Sequence, residues 1–74
     1  MEIKNLVKGS LYINQSDTNS NKYYKFIENN GDIAFFEMYT INEDNSIHLI
    51  DKCYPITEHN CIDLLKISKP ILPI

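Results

Sequence analysis

The sequence predicts a small, mainly β domain. Short apolar runs alternate with polar residues at a period of two, an Asn-Gly pair separates two aromatic-rich runs, and only one late stretch has helical spacing. The 74 residues contain no Gly/Ser/Pro-rich linker, so 1–74 reads as a single unit. A chain of this length buries only about 60% of its unfolded surface, which leaves little room for a deep catalytic pocket with supporting groups. No catalytic residue is assigned, and the reading is that of a protein other than an enzyme.

The first predicted strand is Gly9 to Asn14, where Leu11 and Ile13 alternate with Ser10, Tyr12 and Asn14. A polar loop over 15–21 follows. Two β-rich runs, 22–28 and 32–41, are joined by Asn29-Asn30-Gly31, a strong hairpin signal. A two-residue turn on Asn30-Gly31 would set Tyr24 opposite Glu37 and Phe26 opposite Phe35. A three-residue turn, with Gly31 left-handed in a bulge, would set Phe26 opposite Ala34 and Tyr24 opposite Phe36. The second arrangement is adopted, because it gathers Tyr24, Phe26, Ala34, Phe36 and Met38 on one apolar face.

The opposite face then carries Tyr23, Ile27, Ile33, Phe35 and Tyr39 beside Lys25 and Glu37. That is more aromatic surface than a solvated sheet face needs, so this side is expected either to wrap into a barrel or to be covered. The loop 42–46 leads into a further strand over 47–54. Thr57 is placed to cap a helix over 58–67, whose wheel gathers Cys61, Ile62, Leu64 and Leu65 on one side. The two prolines of the tail, 68–74, make it extended.

Strand, polar loop, two hairpins and a short turn or helix in this order resemble the SH3-like small barrel across roughly residues 8 to 67. The expectation is a small antiparallel barrel of four or five strands with a short helical element near 58–66. The alternative is a four-stranded antiparallel sheet packed by one C-terminal helix. The acidic-plus-Trp groove of proline-binding SH3 domains is not matched, because the chain has no Trp.

Charge narrows the partners. Ten acids against seven Lys and no Arg give −3, which disfavours nucleic acid: the residue that contacts phosphate and guanine bidentately is missing. A stacking, Lys-assisted nucleic-acid barrel built on Tyr23, Tyr24, Phe26, Lys22 and Lys25 is kept as the alternative. No leader peptide or membrane span is read, and a cytoplasmic location is expected.

His48, Cys53, His59 and Cys61 are the right kinds of ligand for a zinc site. Seven residues separate the two cysteines, however, where zinc modules usually pair theirs closely. Two buried thiols and two surface imidazoles explain the same residues, so no metal or cofactor is expected. The informative set is aromatic. Five of the eight aromatics are Tyr, a residue that tolerates half-burial at recognition surfaces. Tyr23, Phe35 and Tyr39, rimmed by Lys25 and Glu37, form the candidate partner-binding patch. The partner is expected to be a larger protein or a second copy of the chain. The abundance of Ile, Asn and Lys reflects AT-rich codons, and with the short chain suggests a phage or mobile-element modulator of a larger host protein.

Overall fold

The computed structural model describes residues 1–16 and 21–67. Strands β1 (Leu11–Asn14), β2 (Lys22–Asn30), β3 (Ile33–Ile41), β4 (Ile47–Thr57) and β5 (Leu64–Lys66) form one antiparallel sheet in the order β4-β3-β2-β1-β5. A single 3₁₀ turn at Ile3–Asn5 precedes them, and one helical turn, α1 (Glu58–Cys61), links β4 to β5. The sheet is open. Its edges are β4 and β5, which do not pair with each other in the described residues, so neither closure into a barrel nor the SH3-like likeness is seen.

The buried face is the one the alternation predicts. Tyr24, Phe26, Ala34, Phe36 and Met38 are all buried, joined by Tyr12, Ile56, Cys61 and Leu64. Ile3 and Leu6 of the N-terminal segment and Cys61 of α1 close over this face. The Ile3 N–H donates to Glu58 Oε2 (2.8 Å), and the Met1 ammonium donates to the Cys61 (3.0 Å) and Ile62 (3.1 Å) carbonyls. The two ammonium bonds satisfy carbonyls at the end of the helical turn that have no partner inside it.

The turn between β2 and β3 differs from both predicted forms. Asn30 pairs with Ile33, leaving Gly31-Asp32 as a two-residue loop. Gly31 has φ +63°, as a primed hairpin turn requires at its first position. That register alone would carry Tyr24 and Phe26 to the wrong side. A bulge at Ile27 corrects it: Glu28 faces Phe35, yet Phe26 faces Phe36 and Tyr24 faces Met38. The predicted and observed pairings differ by two residues, so they place the same side chains on the same face.

Deleting Ile27 should therefore leave a regular ladder with both faces intact. The residue is 36% exposed, and its loss is expected to cost about 1 kcal/mol, the usual size of a modest change. Deleting Lys25 instead forces one aromatic out of the core, whether or not the bulge persists, at a cost of about 3 kcal/mol or more. Urea denaturation of the two deletion variants checks this; equal losses would contradict the bulge.

Three further expectations are corrected. In β1 it is Tyr12, paired with Tyr24, that enters the core, while Leu11 and Ile13 point to the other face. The Tyr12 hydroxyl accepts the Val7 N–H (2.8 Å), so its one polar atom is satisfied there. The predicted strand 47–54 runs on to Thr57 through Pro55, which an edge strand tolerates because one side of its ladder is empty.

The helix expected over 58–67 is only one turn long. Thr57 has extended backbone at the capping position but makes no side-chain cap bond, and the Glu58 N–H donates instead to the Asp32 carbonyl (2.8 Å). After Cys61 the chain turns back, and Leu64–Lys66 hydrogen-bonds to the open edge of β1. Edge pairing competes here with local helical spacing and wins, since a four-residue helix has little intrinsic stability. The C-terminal tail, 68–74, lies outside the described residues.

Candidate interaction surface

Alternation along β2 and β3 places Tyr23, Lys25, Phe35, Glu37 and Tyr39 together on the face away from the core. Each is half-buried. Cross-strand pairing arranges them in rows. Tyr23 lies opposite Tyr39, which lies opposite Leu49; Leu11 lies opposite Lys25, which lies opposite Glu37; Glu28 lies opposite Phe35, which lies opposite Pro55. Directly opposed side chains on one face approach to about 4.5–5.5 Å between Cβ atoms, so each row is a contact row.

The polar groups of this face are partly committed to one another. The Tyr39 hydroxyl donates to Glu37 Oε1 (3.0 Å). Partial burial, and then the hydrogen bond and charge of Glu37, hold the Tyr39 phenol above its ordinary pKa, so it stays a neutral donor. Lys25 and Glu37, expected at the rim of the patch, instead face each other as opposite charges between the aromatic rows.

Sequence reasoning missed two contributors. Leu11, read only as an apolar position of the first strand, is buried on this outer side, and Leu49 adds a 41% exposed side chain at its margin. For Leu11 the signal was present in the strict alternation of 9–14, but nothing local says which phase faces inward. For Leu49 the two register shifts in β4 hide the facing from any simple period.

The four candidate zinc ligands are not assembled. His48 lies exposed on β4, opposite Thr40, with Nε2 3.3 Å from Ser46 Oγ. Cys53 is an exposed free thiol whose own N–H donates to Asp51 Oδ1 (2.9 Å). His59 is exposed on α1, and Cys61 is buried in the core with Sγ 3.9 Å from the Ile56 carbonyl. Burial, and secondarily Glu58, push the Cys61 thiol up, so it is a packing group and a poor nucleophile. No three His, Cys, Asp or Glu side chains gather in a metal-holding arrangement among the described residues.

Two of the aromatics in the nucleic-acid alternative are also displaced. Tyr24 and Phe26 lie in the core at 8% and 4% exposure and offer no face for a base. Among the described residues no helix is long and apolar enough to cross a membrane. Compared with known protein families, curated proteins and solved structures, the chain shows no match.

Proposed function

We propose that this chain is a non-enzymatic protein-binding module that docks a larger protein on its outer sheet face. The observation that carries the reading is the alignment of Tyr23, Phe35 and Tyr39 in directly paired rows on the side of the sheet away from the core cluster. The aromatic rows match the make-up of interface cores, where Tyr supplies rigid, amphipathic contact area, while the central Lys25–Glu37 pair departs from it. The acidic balance and the absence of Arg favour a protein partner over nucleic acid.

In this reading the chain is a cytoplasmic modulator that blocks or adapts its target. Its abundance of Ile, Asn and Lys, residues with AT-rich codons, supports a phage or mobile-element source. The fold is taken as an open relative of the SH3-like small barrel, with the bulges in β2 and β4 supplying the curl such sheets need.

The test compares the parent chain with a Tyr23→Ala/Phe35→Ala double variant shown by circular dichroism to fold. Each is used to capture partners from host lysate, with and without nuclease. One nuclease-resistant protein at near-equal amounts is expected with the parent. Loss of a hot-spot aromatic costs about 2 kcal/mol or more, so capture by the variant should fall at least tenfold. Undiminished capture by the folded variant would remove this face from the function, and loss of capture on nuclease treatment would move the reading to nucleic acid. Sedimentation of the purified chain separates a self-dimer from a heterologous complex.

A further inference from the structure

We propose that a second site, on the core side of the sheet, receives the guanidinium group of a partner's arginine side chain. The site is a cleft of about 230 Å³ whose walls come from three distant parts of the chain. The end of β1 supplies Asn14 and Ser16, β2 and β4 supply Tyr24 and Tyr54, and α1 with the turn after it supplies Asn60 and Asp63.

Backbone bonds hold these walls in place. The Gln15 N–H donates to the Asp63 carbonyl (2.8 Å), and Asn14 pairs with Leu64 in the β1–β5 ladder. Asn14 Oδ1 accepts both the Ser16 N–H (3.0 Å) and the Ser16 hydroxyl (2.7 Å), which folds the chain over the rim. On the other wall the half-buried Tyr54 ring packs on the buried Tyr24 ring, 5.9 Å away at 37°.

The chemistry of the lining selects the ligand. Asp63 is the only charged side chain among the described lining residues, so the cleft is acidic. A carboxylate in one cleft with the half-buried Tyr54 ring favours a cation. A planar guanidinium fits better than a compact ammonium, because it pairs with a carboxylate through its edge while its face stacks on a ring. The chain has no Arg of its own to fill the cleft, and its net charge of −3 draws cations toward it. This site is separate from the outer face, and either can fail without the other.

The test is a titration of the ¹⁵N-labelled full chain with Nα-acetyl-argininamide, followed by NMR. Saturable shifts are expected at Asn14, Asn60 and Asp63. Asp63 is exposed, so Asp63→Asn should leave the thermal midpoint unchanged. The variant should weaken binding about tenfold, the effect of losing a charge-assisted hydrogen bond. Equal shifts with Nα-acetyl-citrullinamide, saturation by glucose in its place, or unchanged affinity in Asp63→Asn would overturn the proposal. Tighter binding of free arginine than of the blocked form would overturn the side-chain source, since the cleft would then be reading the free amino and carboxyl groups.

Discussion

Replacing Phe36 by Ala is expected to destabilise the domain by about 3–5 kcal/mol, whereas the same change at Phe35 should cost only about 1–2. The two residues are chemically identical and adjacent, but Phe36 is fully buried and Phe35 half-buried on the opposite face. The Phe36 ring meets three others: Tyr12 and Tyr24 edge-on at 6.2 Å each, and Phe26 at 5.5 Å. Truncation removes those contacts and leaves a cavity between β2 and β3 that a rigid sheet cannot collapse to fill. At the usual 0.05–0.15 kcal/mol per residue, a 74-residue domain has about 4–11 kcal/mol in total, so Phe36→Ala should bring it near the unfolding threshold. Urea denaturation followed by circular dichroism measures both variants. A larger loss for Phe35→Ala would mean that the two faces are exchanged.

Tyr12 is the second place where a single side chain has a large effect. Tyr12→Ala should cost about 3–5 kcal/mol, because the residue is fully buried and packs edge-on against Phe36 in the core. Tyr12→Phe separates the ring from the hydroxyl. It keeps the packing but removes the acceptor for the Val7 N–H, and should cost about 1 kcal/mol, the net worth of one hydrogen bond. The amide of Val7 reports the same event directly. Its hydrogen exchange should speed up in Tyr12→Phe while the amides of β2 and β3 keep their protection. If Tyr12→Phe leaves the Val7 amide unchanged, the hydroxyl is not its partner.

How far the fold could be read ahead of its structure depended on the range of the deciding interaction. The membership of the core face was legible, because alternation within β2 and β3 is a property of each strand alone. Their register was not, since the bulge at Ile27 leaves no mark in the local pattern and shows only in pairing with β3. The facing of β1 was likewise hidden: Leu11 and Tyr12 are both buried, and only the pairing of Tyr12 with Tyr24 says which side is the core.

At 58–66 the residue types suit a helix somewhat better than a strand, yet the outcome is set by the unpaired edge of β1 some fifty residues earlier. The five residues of the candidate surface were identifiable from alternation, while Leu11 and Leu49 required strand order. The guanidinium cleft had no sequence signature, because Asn14, Tyr54 and Asp63 meet only through the closure of β1 on β5.

The Ile3–Glu58 bond spans 55 positions of sequence, and the β1–β5 ladder spans nearly as many, whereas β1, β2 and β3 each pair with the next strand in the chain. Closing a long loop costs entropy before any contact compensates for it. The order of assembly follows from this. The β1–β2–β3–β4 meander can form early from near-neighbour contacts, and the N-terminal turn, α1 and β5 close together afterwards as one late step. In reverse, the first opening of the native protein should release that same set. Such an opening uncovers Tyr12 and dismantles the guanidinium cleft while the outer rows of Tyr23, Phe35 and Tyr39 stay assembled on the meander, so the two sites would fade at different depths of unfolding.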